Sequence, residues 1–325
     1  AIISIALVFN GYAQTLNYEW AHGIGSPYGN GDEVQAVKTD AAGNSYAVGY
    51  IYQGTIDLDP GPSVVQLASE GTQNAFIAKY SATGALIWAR MIRGGGTTMA
   101  FSIAIDNAAN IVVGGLFSDY ADFDLGTGSS LLSTTNADLF IAKYDSSGNL
   151  FWAKNMPASP NAELNDLALD ASGNIHITGS YRGTIDFDPS GAVASRTALL
   201  EDIFVAKYDA SGNYLWANSM GSGGSMTNVG NAIIVDNLGN AYVTGHFAGT
   251  VDFDPGVGTT NLVSSGTFTD IYLAKYKSLG TFQWAFRAGN TNQDVGMGLG
   301  FDGSFNPILT GYFGGTVDFN PSAGT

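Results

Sequence analysis

Four segments carry two aspartates separated by one apolar residue: Asp57-Leu-Asp59, Asp122-Phe-Asp124, Asp186-Phe-Asp188 and Asp252-Phe-Asp254. A fifth, Asp318-Phe-Asn320, exchanges the second acid for an amide. Pro60, Pro189, Pro255 and Pro321 follow these segments, whereas Leu125 stands at that place in the second. Two carboxylates this close in a glycine-containing loop could share a hard cation such as calcium, which takes roughly six to eight oxygens and would draw on backbone carbonyls as well. The same residues also build turns, because an Asp side chain accepts backbone N–H groups and Asp-Pro opens a turn. The spacing is not that of an EF-hand loop. The expectation is a turn-fixing role, with Asp57, Asp59, Asp122, Asp124, Asp186, Asp188, Asp252 and Asp254 as the candidate calcium ligands.

Other residue types offer less chemistry. Lysine recurs in Ala-Lys-Tyr at Lys79, Lys143, Lys207 and Lys275, mid-strand among apolar neighbours. An unpaired ammonium there is costly, so each is expected to pair with a repeated Asp of its own unit, in the Asp-x-Asp loop. His22, His176 and His246 share no spacing, and the positions matching His176 hold Tyr46, Val112 and Tyr242. There is no Gly-x-Ser-x-Gly elbow. Gly94-Gly-Gly96 and Gly221-Ser-Gly-Gly224 lack the Gly-Lys-Ser/Thr of a phosphate loop and read as links. The acids that do not recur, Glu19, Glu33, Glu70, Glu163 and Glu201, show no mutual pattern. A carboxylate pair for glycoside hydrolysis is a tertiary property, and catalysis is normally carried by groups that break a repeat. The sequence carries no enzyme signature.

These residues fall on one beat. The five tryptophans, Trp20, Trp88, Trp152, Trp216 and Trp284, stand 68, 64, 64 and 68 residues apart, and the Ala-Lys-Tyr and Asp-x-Asp markers keep the same register. A repeat of about 65 residues decides the architecture before any residue-level reading. Each unit resolves into four strand-like runs. The first ends at Asp40, Asp106, Asp170, Asp236 or Asp302 and shows apolar residues at alternate positions, as in Leu167 and Leu169. Small residues such as Ala36, Ser102, Ala232 and Gly298 occupy its other face, as suits a strand near a central axis. Asp170-Ala-Ser-Gly-Asn174 and Asp209-Ala-Ser-Gly-Asn213 have turn chemistry. The fixed place of Trp in the fourth run predicts packing between units rather than sugar stacking.

Tandem four-stranded antiparallel units make a β-propeller. The runs Gly239-Asn-Ala-Tyr-Val-Thr-Gly245, Asp202-Ile-Phe-Val-Ala-Lys-Tyr-Asp209 and Ser211-Gly-Asn-Tyr-Leu-Trp-Ala217 resemble the SBBP-type β-propeller repeats of secreted bacterial proteins. The resemblance covers nearly everything from residue 17 onward. Gly249-Thr-Val-Asp-Phe-Asp-Pro-Gly256 resembles the variant of large exported or surface-attached proteins. The resemblance implies secretion and no particular ligand. Four full blades and a partial fifth are expected over residues 14–325, with a fourth-type strand around Asn17 to Gly25 and the fifth unit cut short at its C-terminal side.

Composition agrees. Hydrophobic residues are 45% of the 325 and Gly 44 of them, about twice the usual share, which suits many short strands joined by tight turns. Lys plus Arg number 12 against 28 Asp plus Glu, a formal charge of −16 without a basic cluster, so nucleic acid and anionic membranes are poor partners. With no cysteine, disulfides and thiolate chemistry are excluded. Ala1 to Phe9 form an apolar run too short to span a bilayer, followed by small residues, and read as the remnant of a signal peptide over residues 1–13. The expectation is a non-catalytic secreted or cell-surface propeller that binds a polysaccharide or a surface protein. Its variable surface would be the long connection between second and third strands, about residues 182 to 201 in the third unit. The alternatives are a secreted carbohydrate-active hydrolase or lyase and a calcium-stabilised adhesin.

Overall fold

The computed structural model describes residues 19–23, 25, 31–222 and 227–319. Its described residues form strands and turns and no helix. The first unit contains β1 (Glu33–Thr39), β2 (Ser45–Tyr52), a short hairpin of β3 (Thr55–Asp57) and β4 (Gln66–Ala68), then β5 (Gln73–Tyr80) and β6 (Leu86–Gly94). The second contains β7 (Thr98–Ile105), β8 (Ile111–Asp122), β9 (Leu131–Tyr144) and β10 (Leu150–Met156). The third contains β11 (Ala158–Leu169), β12 (Ile175–Asp186), β13 (Ser195–Tyr208) and β14 (Tyr214–Met220). The fourth contains β15 (Val229–Val235), β16 (Ala241–Phe247), the hairpin β17 (Thr250–Asp252) and β18 (Asn261–Val263), then β19 (Asp270–Tyr276) and β20 (Phe282–Ala288). Of the fifth, β21 (Val295–Phe301) and β22 (Pro307–Tyr312) are described.

Within every complete unit the four main strands pair antiparallel in chain order, as in β11-β12-β13-β14. The first strands of successive units lie against one another, β1 on β7, β7 on β11, β11 on β15 and β15 on β21. Tandem four-stranded sheets with their first strands side by side are a propeller-like arrangement. The leader expected at residues 1–13 lies outside the described residues. Around Trp20 the described residues form no strand, yet the indole Nε1 donates to the Ala82 carbonyl at 3.1 Å. Trp88 to Ser146 and Trp216 to Ser278, both at 3.2 Å, repeat that bond between consecutive units.

Two local devices set the strand register. Each first strand bulges by one residue, as between Leu164 and Asp166, and a glycine of the second strand faces the bulge. A Cβ on Gly179 would strike the Glu163 carbonyl oxygen, and Gly49, Gly115, Gly245 and Gly311 face the same obstacle. The other device is the turn between third and fourth strands. Gly212 has φ +76°, and a Cβ there would also meet the ring of Trp152 from the preceding unit at 2.9 Å. The tryptophans therefore pack between units, as their place in the fourth run predicts.

The core is distributed as wedges between neighbouring sheets. One cluster joins Ile77 and Ile92 to Ile103, Val113 and Phe140. Another joins Ile141 and Met156 to Leu167, Ile177 and Phe204, and a third joins Ile203 and Met220 to Ile233, Val243 and Tyr272. The hairpin between second and third strands folds into these wedges. Phe123, Phe187 and Phe253, the central residues of Asp-x-Asp, are fully buried against Phe140, Phe204 and Tyr272.

The second-to-third connection is not the long loop expected over residues 182 to 201. Strands β12 and β13 pair again from Gly183↔Ala198 to Asp186↔Ser195 after a bulge at Arg182, leaving residues 187–194 as the loop of a hairpin. Burying Phe187 holds the segment against the blade, so its backbone finds partners in a hairpin rather than in solvent.

Candidate functional site

The repeated aspartates are taken up by the backbone. In the third unit Asp186 Oδ1 accepts the N–H of Asp188 at 3.1 Å and of Ala194 at 2.8 Å, closing the loop across eight residues. Asp188 Oδ1 then accepts the Ser190 N–H at 2.9 Å. Asp57, Asp122 and Asp252 bridge residues two and eight positions on in the same way, and Asp59, Asp124 and Asp254 each take the N–H two residues on. The Tyr of Ala-Lys-Tyr locks the hairpin from within: Tyr80, Tyr208 and Tyr276 donate their hydroxyls to the carbonyls of Leu58, Phe187 and Phe253 at 3.0, 2.9 and 3.0 Å. Burial, with Asp59 and Asp57 nearby, pushes Tyr80 up to about 12, so it stays a donor. Among the described residues no group of three or more His, Cys, Asp or Glu side chains is arranged to hold a metal ion.

Three of the four recurring lysines pair within their own units, but not with these loops. Lys143 meets Asp106 at 3.1 Å, Lys207 meets Asp170 at 3.1 Å and Lys275 meets Asp236 at 3.4 Å. The partner is the Asp that ends the first strand, because the third strand runs antiparallel to the second and brings Lys beside the first turn. That Asp also fixes its own turn: Asp236 Oδ1 accepts the N–H of Leu238 and Asn240, and Oδ2 takes the Asn240 amide. Burial opposes its ionisation, but the Asn240 amide, the two N–H groups and Lys275 outweigh it and hold the carboxyl below the usual range. Lys79 differs, reaching the Ser146 carbonyl of the next unit at 3.1 Å while lying over the Tyr46 ring.

The sequence reading passed over Asp166, which stands where the other first strands have Ala36, Ser102, Ala232 and Gly298. Its Oδ1 accepts from the Ser102 hydroxyl at 2.9 Å in the second unit, and its Oδ2 from the Ile233 N–H at 2.9 Å in the fourth. One carboxylate thus ties three units together, and burial raises its pKa. The departure from a small residue was the available signal. A second missed set is the polar residue five positions before the recurring Lys of the third strand. Asn74, Asp138 and Asp270 are buried, and Asp138 accepts from Asn155 at 2.8 Å and from the Ala158 N–H at 3.1 Å, fastening the link between units.

The two ends of the sheets hold different clefts. At the end with the Asp turns, a cavity of about 590 Å³ lies between Asp106–Ala108 and Asp170–Gly173, with Lys143 in its wall. Its charged side chains are already engaged with one another or with turns. At the opposite end, where the hairpins leave the blades, the register breaks. In the third unit only Arg182 stands between the paired Tyr181 and Gly183, whereas Leu199, Leu200 and Glu201 stand between their partners Ala198 and Asp202. This wide bulge turns Glu201 back toward the blade, where its oxygens accept from the Ser180 hydroxyl at 3.1 Å and from Arg182 at 3.4 Å. Asn161, Glu163, Ser180, Arg182 and Glu201 line a cleft of about 160 Å³, and Leu199 beside it is 81% exposed.

The corresponding bulge of the second unit borders a cavity of about 520 Å³ with Asp119, Thr134, Thr135 and Asn155. His246 of the fourth unit, its pKa lowered by burial with Glu201 partly offsetting the effect, sits close to the third unit's cleft. The structure thus brings Glu163 and Glu201 to one place, and it corrects the expectation that these acids share no pattern, since Glu163 stands at the register of Glu33 in the first unit.

No family model matches the chain. It is similar to an uncharacterized WD repeat-containing protein, L264, of Acanthamoeba polyphaga mimivirus, 28% identical over 242 residues that are 66% of this chain and 17% of the relative. It is also similar to the regulatory protein FlaEY of Caulobacter vibrioides, 28% identical over 243 residues, 70% of this chain and 25% of the relative. The chain therefore spans only a small part of either curated relative. A relative named for its WD repeats, three beats kept in register and tandem four-stranded sheets all meet on one architecture: this is a strand-rich repeat protein of β-propeller type.

Proposed function

We propose that the chain is a non-catalytic binding or scaffold module, and that the hairpin end of its blades is the surface that meets a protein partner. One observation carries this reading. The recurring acids of the turns and hairpins hold backbone N–H groups, whereas Ser180, Arg182 and Glu201, polar groups that break the repeat, gather at the hairpin end. A scaffold that repeats its structural residues and varies one end presents a site without changing the fold. The relatives' names, a WD repeat-containing protein and a regulatory protein, support an interaction role in general terms.

The finer assignments rest on the resemblance read from the sequence: an SBBP-type repeat, secreted or displayed at the cell surface, with four full blades and a partial fifth. The Asp-x-Asp loops are read as turn-fixing rather than calcium-holding, since each first Asp spends one oxygen on two N–H groups.

The carbohydrate-active alternative draws on Glu163 and Glu201 lining one cleft. Against it, both Glu201 oxygens are engaged, and about 160 Å³ falls short of the roughly 300–1,000 Å³ of small-molecule pockets. The test places a photo-crosslinking residue at Leu199, at the hairpin end, or at Leu238, equally exposed at the turn end, in cells that make the protein. A protein adduct from position 199 and none from 238 is expected. Adducts from 238 alone, from neither, or to glycan instead of protein would contradict the reading.

A further inference from the structure

His176 occupies a position where the first and fourth units have Tyr46 and Tyr242 and the second has Val112. In the first and fourth units the tyrosine ring lies beneath the lysine, Lys79 at 4.8 Å from Tyr46 and Lys275 at 4.4 Å from Tyr242, and stands edge-on to Trp88 or Trp284. His176 keeps the edge-on contact, 6.1 Å from Trp216. It is fully buried, and neither ring nitrogen has a hydrogen-bond partner. Its Nε2 stands 3.6 Å from Asp170 Oδ2, the oxygen that Lys207 approaches to 3.1 Å.

This ion pair belongs to the joint between the third and fourth units. Lys207 also donates to the Ser278 carbonyl at 3.4 Å, where Trp216 Nε1 donates at 3.2 Å, and Asn218 donates to the Gly280 carbonyl at 2.7 Å. Gly239 of the fourth unit's first turn closes over the pair: a Cβ there would lie 3.5 Å from Asp170 Oδ2 and 3.7 Å from Lys207 Nζ. The charged groups facing His176 are Asp170, from the first turn of its unit, and Lys207, from the third strand. Trp216 of the fourth strand is neutral, and the fourth unit contributes the Ser278 carbonyl. The next ion pairs, Asp106–Lys143 and Asp236–Lys275, lie in the units on either side.

We infer that His176 makes the joint between the third and fourth units sensitive to mild acid, by setting a second cation against Lys207 for one Asp170 oxygen. The neutral ring leaves Asp170 to Lys207. A protonated ring within 3.6 Å draws on the same oxygen and repels Lys207, which loosens the ammonium from Ser278. The joints built on Tyr or Val lack this competitor.

The sign follows from burial, which holds the His176 pKa below its free value, with Asp170 only partly offsetting the effect. A histidine depressed in the folded state binds its proton more readily when unfolded. Its stability contribution is therefore complete above about pH 6.5 and declines as pH falls toward the folded pKa, with the unfolding constant rising by up to about tenfold per pH unit.

The experiment compares the intact wild-type chain with His176→Tyr and His176→Val, the residues native to equivalent positions, and with His246→Asn as a control for the other buried histidine. Urea midpoints are measured from pH 7.5 to 5, above the ordinary carboxylate range, and the buried acids with raised pKa, such as Asp166, are common to all the proteins compared. The expected result is a midpoint that falls more steeply with pH in wild type than in the two His176 variants, which keep only the slope that buried His246 contributes, while His246→Asn keeps the part that His176 contributes. Equal slopes in wild type and both His176 variants would overturn the inference. Should neither His176 variant fold, NMR titration of wild type decides. A His176 ring titrating below the free value, together with a shift at Lys207 Nζ, supports the inference; a ring at the free value, or no response at Lys207, overturns it.

Discussion

At the turn end of the third unit, Asp170 accepts the N–H groups of Ser172 and Asn174 and the Asn174 amide, and meets Lys207. The turns at Asp40, Asp106, Asp145, Asp209, Asp236 and Asp302 repeat those backbone and amide bonds. At the hairpin end of the same strands, Ser180, Arg182 and Glu201 have no counterparts, since the first unit places Tyr50, Tyr52 and Gln73 at those registers. The difference separates two uses of polar side chains. Groups that recur close turns and joints, so changing them should cost stability; groups that do not recur face a cleft, so changing them should cost recognition.

The severest challenge to this division is Phe187→Ala. The residue is fully buried in the wedge between second and third units, and its loss should cost about 4 kcal/mol in a denaturant melt. Leu199→Ala, on the returning strand of the same hairpin but exposed, should change stability by less than about 0.5 kcal/mol. Comparable losses would mean that the hairpin is not anchored through Phe187.

Asp236→Ala tests the turn end next. It strands the largely buried Lys275 ammonium and frees the Asn240 N–H, for about 3 kcal/mol. The folded carboxyl sits below its ordinary value near 3.9, so its contribution is present above that pH and is lost as pH falls through the folded pKa. Wild type and variant should therefore differ most near neutrality and converge in strong acid; a difference independent of pH would show that the charge is not what matters.

A smaller effect is expected for Trp216→Phe, which keeps an aromatic ring and removes the indole N–H that donates to Ser278, for about 1 kcal/mol by thermal melting. The smallest belongs to Glu201→Gln at the hairpin end, within about 0.5 kcal/mol of wild type in the same melt. That variant should nonetheless weaken the adduct captured from position 199. If it destabilises the fold while leaving the adduct intact, the division between the two ends fails.

Much of the fold could be read from residue order, because a repeat states its rules several times. The Asp-Gly-Asn turns, the four runs per unit and the tryptophans between units follow from local periodicity and turn chemistry. The lysine partner was assigned to the right unit and the wrong Asp. Sequence distance does not reveal that the third strand lies beside the first turn, whereas the pairing His176↔Lys207 does. The hairpin does not show in the residue order because the plug, one Phe between two Asp, is too short to show strand periodicity. The cleft stayed hidden for another reason: Glu163, Arg182 and Glu201 come from three strands and meet only through the bulge opposite Arg182. Asp166 could have been found, since an acid in a column of small residues asks for partners, here Ser102 and Ile233.

Amide hydrogen exchange on the intact chain tests most directly whether the recurring acids belong to the backbone. The N–H groups of Asp188 and Ala194, held by Asp186, and of Asp124 and Ser130, held by Asp122, should be protected to the same degree with calcium and with a chelator. Exchange at open-loop rates, or protection that appears only when calcium is added, would contradict the account.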